Sequence, residues 1–304
     1  MRWLFHVLPT REISWGSDGR YRPASLAREG FVHASFRDVV LESARLYFPK
    51  DVALSVLAID PRRLDVPVEI AETPRGPMPH VRGPIPCDAV RILSLPDVPE
   101  HPDRVTGARI GLCAFEGMTL LDLVGPLDAL SRIASMGFDP TASCEVIGLT
   151  RPRRDETVVD VAVWRGSGAA LLAGRYRPAL DAFDVLVVPG GPSTRGLVED
   201  AALTSYLASF PKNRLLASVC TGALLIGAAG RLEGKRATTH ASAHDELARY
   251  GAVAVRERVV DEGNVVTAAG VTAGIDLGLH LARRLEGREV AEAIAERMEA
   301  RPWT

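Results

Sequence analysis

The sequence predicts an α/β protein, a mostly parallel sheet sandwiched by helices, preceded by a smaller α+β domain. Three observations carry that reading. After residue 108, apolar strings of strand length alternate with longer helical patterns, the mark of parallel strands joined by crossover helices. Before residue 96, shorter apolar strings punctuated by Pro and Gly surround one helical stretch near residues 37–47. Between the two, Pro96-Asp-Val-Pro-Glu-His-Pro-Asp-Arg-Val105 carries three prolines and no periodicity, the composition of a linker. The expected domains are therefore residues 1–97 and 105–304.

In the first domain, residues 3–8 and 52–59 read as strands. In the second, residues 109–115 form a strand followed by a helix over 121–136, and residues 145–149 form the next strand. Residues 185–188 are a strand followed by a helix after Asp200; residues 215–219 are a strand followed by a helix from Thr221. The final stretch, 288–301, is a charged amphipathic helix with Val290, Ile294 and Met298 on one face. Sheets of this kind place ligands at the carboxyl ends of their strands. Attention therefore falls on the turns at 116–122, 189–192 and 219–222.

A length of 304 residues with 47% apolar and 24% charged residues excludes collagen-like, disordered and coiled-coil classes. The net charge of −2 offers no basic field for a nucleic-acid backbone or an anionic membrane. Only Lys50, Lys212 and Lys235 are lysines, so the other 33 basic residues are Arg, a bias that fits a GC-rich bacterial genome better than a function. The start has no apolar core of signal-peptide length, and the longest uncharged run, 215–230, falls short of the roughly 18 residues of a spanning helix. With the amphipathic stretch 288–301 as the last element read, no DNA-binding helix pair is expected. Four cysteines, Cys87, Cys113, Cys144 and Cys220, form no CxxC pair and no zinc-type cluster. These features lead us to expect a soluble cytoplasmic protein without a metal, whose partner is a small molecule.

The string Leu-Leu-Ala-Ser-Val-Cys220-Thr-Gly-Ala-Leu-Leu-Ile-Gly places Cys220 where an apolar strand ends and a helix begins, between small residues. A thiol at a helix N-terminus meets free N–H groups and the positive end of the macrodipole, which lower its pKa and make it a nucleophile. The alternative is a buried Cys acting as a small hydrophobe. Cys87, Cys113 and Cys144, in a Pro turn or mid-strand, read as packing residues. Asp122 stands in the first turn of a helix, where an acid also serves as a cap. Pro-Gly190-Gly191-Pro reads by itself as a turn.

Six strings in order extend this pattern: Thr-Leu-Leu-Asp122-Leu-Val-Gly-Pro-Leu-Asp-Ala-Leu, Val-Val-Pro-Gly190-Gly191, Ser-Val-Cys220-Thr221-Gly222, Leu-Glu-Gly-Lys-Arg-Ala-Thr-Thr-His240, Glu-Arg-Val-Val-Asp-Glu-Gly-Asn, and Ala-Gly-Val271-Thr-Ala-Gly-Ile-Asp276. With them, the stretch from about Arg109 to Trp303 resembles the ThiJ/PfpI superfamily, which includes protein deglycases, protease-like proteins and isocyanide hydratases, and is most similar to the hydratase branch. The resemblance implies a flavodoxin-like sheet of the class I glutamine-amidotransferase type, and a homodimer. It implies Cys220 as nucleophile, Asp122 as its acidic partner, and Thr221 beside them where protease-like members carry His. It also implies that Gly190 and Gly191 aim N–H groups at developing negative charge, with His240 and Val271 as site neighbours. Ala241 stands where many members have an aromatic residue. The implied reaction adds water to an electrophilic small molecule, an isocyanide giving an N-formamide, without a cofactor. Glyoxalase-like or deglycase activity, or a cysteine sensor module, are the alternatives.

Residues 4–95 resemble a small bacterial domain of unknown function through Leu-Phe-His6-Val-Leu, Tyr-Arg-Pro-Ala-Ser25-Leu, Glu-Gly-Phe-Val-His33-Ala-Ser35, Val-Leu-Ala-Ile-Asp60-Pro-Arg-Arg-Leu and Pro-His80-Val-Arg-Gly-Pro-Ile. His6, Ser25, His33 and His80 are candidates to converge on a pocket. A lone His in an apolar string also serves as a hydrogen-bonded core residue.

Overall fold

The computed structural model describes residues 2–150, 162–165 and 170–300; the last residues of the second domain's resemblance, 301–304, lie outside them. The chain divides into two compact units, Met1–Val105 and Thr106–Thr304. In the first, Leu4–Pro9 pairs antiparallel with Leu54–Ile59, which pairs with Val90–Ser94. A second antiparallel sheet joins Val32–His33, Gly76–Val81 and Val68–Thr73. Phe5, Leu57, Ile59 and Val81 are fully buried among these strands. The helical stretch is a short 3-10 turn running into the helix Val40–Tyr47.

The Pro-rich stretch does not behave as a linker. Val98 and Val105 are buried, and the His101 ring stands edge-on to Trp3 at 4.8 Å and to Phe5 at 5.5 Å. Arg2 pairs with Asp103 at 3.1 Å. Prolines stiffen the chain, but the apolar residues between them have a core to enter, so the segment packs as the last layer of the first unit.

The second unit is built on a seven-stranded sheet: β1 (Arg109–Ala114), β2 (Ser143–Gly148), β3 (Arg175–Tyr176), β4 (Val185–Val188), β5 (Leu215–Val219), β6 (Val259–Asp261) and β7 (Val265–Ala268). Their order is β3-β2-β1-β4-β5-β7-β6, and every neighbouring pair is parallel except β6 with β7. The central strands β4 and β5 are buried along their whole length, as continuous Val/Leu/Ala runs demand when helices cover both faces. Helix α1 (Leu120–Ser135) follows β1, α2 (Gly222–Ala228) follows β5, and α3 (Ala273–Glu286) follows β7. The amphipathic C-terminal helix spans Arg288–Arg297, with Val290 and Ile294 buried and Met298 half-buried just beyond it.

Helices α1 and α3 approach closely. A Cβ at Gly278 would stand 2.7 Å from Ala129 Cβ and 2.9 Å from Pro126 Cα, so the packing requires the bare glycine and sets the second turn of α3 against the middle of α1. All four cysteines are free. Cys113 is buried in β1 and Cys144 half-buried in β2, while Cys87 is exposed and so is not the packing residue expected. No helix among the described residues is long and apolar enough to cross a membrane.

Gly278→Ala should therefore destabilise the second unit by about 1–3 kcal/mol through overpacking of α1 against α3. The measurement is the midpoint of denaturant unfolding, with an unchanged midpoint as the contrary result.

Candidate functional site

Loops after β1, β4, β5 and β7 meet at the carboxyl edge of the sheet. The N–H of Thr119 donates to Gly190 O at 2.8 Å, joining the β1 and β4 loops. The Cys220 N–H lies 3.1 Å from Ala268 O and 3.0 Å from Ala269 O, tying the β5 elbow to the end of β7. Thr239 Oγ1 donates to Cys220 O at 2.8 Å. Thr239 had not been singled out, although it belongs to the Thr-Thr-His240 string.

Cys220 sits at the elbow with φ +57°, a left-handed conformation that a non-glycine residue rarely adopts. It is held there by the bonds to both of its backbone polar groups. The glycine of the β4 loop makes the elbow accessible to its neighbours: a Cβ at Gly190 would come within 2.5 Å of Thr221 N and 2.8 Å of Gly222 N. Only a residue without a side chain fits between the loop and the start of α2.

The expectation that Gly190 and Gly191 aim N–H groups at a reacting molecule is not met. The Gly190 N–H donates to Asp122 Oδ2 at 3.1 Å, and the Gly191 N–H donates to Thr221 Oγ1 at 2.9 Å. Each is spent on positioning a site side chain, because both carboxylate and hydroxyl are buried and need a partner. The N–H groups that face the Cys220 sulfur are those of Thr221 and Val271. Val271 itself has φ +47°, an outlier for a β-branched residue.

Asp122 is fully buried in the first turn of α1 and is not its N-cap, which is Thr119. Its Oδ1 has no hydrogen-bond partner of good geometry among the described residues, and its carboxyl interacts with the Cys220 thiol. Burial pushes Asp122 up to about 6, against the opposing influence of Cys220, the Gly190 N–H and His240. Burial also pushes Cys220 up to about 11, reinforced by the Asp122 charge, and the two N–H groups do not offset it. The elbow was expected to lower this value. A seven-residue helix contributes a weak end charge, and desolvation beside a carboxylate outweighs it.

His240 lies against Gly270, the residue before Val271, where an added Cβ would meet its Cδ2 at 2.5 Å. Its Nδ1 accepts from the Ser242 N–H at 3.3 Å. A cavity of about 350 Å³ is lined by Thr239, His240, Ala241, His244, Arg258 and Ala269, so its wall includes two residues bonded to the Cys220 backbone.

In the first unit, His6, Ser25, His33 and His80 line one cavity of about 730 Å³. His6 is buried; its Nδ1 lies 2.6 Å from His33 O and its Nε2 3.0 Å from the Tyr21 hydroxyl. His33 pairs with Glu29 at 2.8 Å, and His80 stacks on Phe31 at 3.8 Å between centroids. Tyr21, between Arg20 and Arg22 at the head of the Tyr-Arg-Pro-Ala-Ser25-Leu string, is a further member of this cluster.

Comparison with known proteins places both units. Residues 108–284 match the model of the DJ-1/PfpI family, and residues 8–93 match a family described as a protein of unknown function, DUF952. The chain is 36% identical over 195 residues to the isonitrile hydratase of Pseudomonas putida, covering 64% of this chain and 79% of that protein. It is 34% identical over 123 residues to protein DJ-1 homolog A of Arabidopsis thaliana, covering 40% of this chain and 31% of that one. Among solved structures, a ThiJ/PfpI family protein from Pseudomonas syringae superposes with a TM-score of 0.56 at 30% identity, covering 69% of this chain and 81% of its own.

The raised Asp122 carboxyl has a consequence for stability. A carboxyl whose folded pKa lies above its unfolded value binds its proton more tightly in the native state, so stability is full below about pH 4 and is lost as pH rises through about 6. Asp122→Asn should therefore raise the stability of the second unit at pH 8, by at most roughly 3 kcal/mol for a shift of about two units. That gain should vanish near pH 4, as followed by thermal melts at the two pH values.

Proposed function

Because the chain belongs to the DJ-1/PfpI family, we propose that its second unit is a cysteine-dependent enzyme that adds water to an isocyanide, with Cys220 as nucleophile and Asp122 as the group that moves protons. The observation that carries this reading is the buried Asp122 carboxyl, one oxygen held by the Gly190 N–H, set against the Cys220 thiol of a strained elbow. The similarity to isonitrile hydratase supports the choice of electrophile.

At pH 7 the pair rests as thiol and carboxylate, since Asp122 titrates near 6 and Cys220 near 11. As the sulfur bonds to the terminal isocyanide carbon, Asp122 takes the thiol proton and returns it to that carbon, giving a thioimidate, R–N=CH–S–Cys220. The N–H groups of Thr221 and Val271 favour negative charge on the sulfur during this transfer. Water then adds to the thioimidate carbon while Asp122 passes one of its protons to nitrogen. Collapse forms the C=O bond, breaks the C–S bond, and moves the hydroxyl proton through Asp122 back to sulfur. The sum is R–NC plus water to R–NH–CHO, with the thiol regenerated.

Thr221 acts by position. Its hydroxyl accepts from the Gly191 N–H and lies 3.1 Å from Thr194 Oγ1, locking the β4 loop onto the elbow. The cavity of about 350 Å³ is lined by neither Cys220 nor Asp122 and borders the elbow only through Thr239 and Ala269, which bond the Cys220 backbone.

Turnover of para-nitrophenyl isocyanide to its formamide should be lost in Cys220→Ala and in Asp122→Asn, with a covalent adduct at Cys220 visible by mass spectrometry in the wild type. Activity in Cys220→Ala would overturn the reading. So would consumption of glyoxals in place of isocyanides, or selective peroxide oxidation of Cys220 without turnover of either. The pH dependence is separately diagnostic: kcat/KM should fall about tenfold per unit below pH 6, where Asp122 becomes protonated, and stay level from about 7 to 9.

A further inference from the structure

The cavity of about 730 Å³ in the first unit takes no part in the proposed hydration, yet its size is that of pockets enclosing drug-sized organic molecules. Its walls present rings: Tyr21, His33, Tyr47, Phe48 and His80. Tyr47, at the end of the helix Val40–Tyr47, is 69% exposed, a large ring left uncovered with the Arg75 guanidinium 5.6 Å from its centroid.

The polar groups of the cavity are neutral or matched. His6 Nδ1 donates to the His33 carbonyl, which leaves Nε2 to accept from the Tyr21 hydroxyl. Burial holds His6 down to about 4 and pushes Tyr21 up to about 12, so both are uncharged at neutral pH. The formal charges on the lining are Arg28 and Arg75 against Glu12 and Glu29, and they cancel. A charged ligand would find no net compensation for the water it gives up. Two atoms of lining residues have no hydrogen-bond partner among the described residues: Arg75 Nε, which still stands 3.4 Å from Glu42 Oε1, and Ser25 Oγ, which is buried although buried hydroxyls are almost always paired.

We propose that this cavity is a second small-molecule site, which binds an uncharged aromatic compound carrying a carbonyl or hydroxyl group that pairs with the Ser25 hydroxyl once that side chain turns into the cavity. The rings take the aromatic plane by stacked or edge contacts. The site stands independently of the reaction assigned to Cys220.

The test is a fluorescence titration of the full chain with prodan, an uncharged naphthalene ketone whose emission shifts to the blue on leaving water. Wild type should bind it saturably at one site. Ala24→Trp places a bulky ring on an exposed residue of the cavity lining and should weaken binding at least about tenfold. Ser25→Ala should weaken it about threefold to tenfold, the effect of one lost hydrogen bond. Cys220→Ala should bind prodan as wild type does, and anilinonaphthalene sulfonate, of similar size but anionic, should bind more weakly than prodan. Circular dichroism and melting temperature establish that each variant is folded. Unchanged prodan binding in Ala24→Trp or Ser25→Ala, loss of binding in Cys220→Ala, or equal affinity for the sulfonate would each overturn the proposal.

Discussion

The backbone of the β4 loop runs into the β5–α2 elbow with no space for a side chain between them, and the site of the second unit is organised by that contact. Because Gly190 lies against Thr221 and Gly222, its N–H reaches the Asp122 carboxylate and the next N–H reaches the Thr221 hydroxyl. Asp122 is fully buried beside that contact. Widening it by one methyl group would hydrate the carboxyl, release Thr221 and let the elbow relax, so the electrostatics and the strain share one steric origin.

The strain is local and carries its own cost. Cys220 and Val271 both occupy left-handed backbone conformations, of the order of 1–3 kcal/mol each; Cys220 is held by its bonds to Ala268, Ala269 and Thr239, and the Val271 carbonyl accepts from the Gly274 N–H at 3.1 Å. What this secures is the direction of two N–H groups toward the sulfur. A relaxed elbow would turn the thiol away from the carboxyl. Proton transfer between two buried groups needs them held at short range before the substrate arrives, since neither can borrow water to do it.

The sheet was legible because parallel strands buried on both faces leave unbroken apolar runs, and β1, β4 and β5 fall where those runs do. The elbow at Cys220 was legible from the small residues around it. The fate of the Gly190 and Gly191 N–H groups was not, because which acceptor an N–H finds depends on loops brought together from distant parts of the chain. The direction of the Cys220 shift was misread for a related reason: helix-end fields are read from local order, whereas desolvation and the Asp122 charge come from tertiary contact. The Pro-rich stretch misled because composition reports stiffness and says nothing of an available core, which Trp3 and Phe5 supply to His101.

The two units answer the problem of burying polar groups in opposite ways. In the second, burial raises a carboxyl that stands against a thiol and has one oxygen without a well-aligned partner among the described residues, so a proton has somewhere to go. In the first, His6 and Tyr21 satisfy each other and the charges around them cancel, so nothing is poised to transfer. A site that holds its polar groups neutral and paired lowers no barrier by charge; the recognition proposed for it rests on shape and on the one lining hydroxyl, Ser25, without a hydrogen-bond partner among the described residues. Reaction is therefore expected where a buried group is kept in energetic debt, and recognition where the surroundings are already balanced.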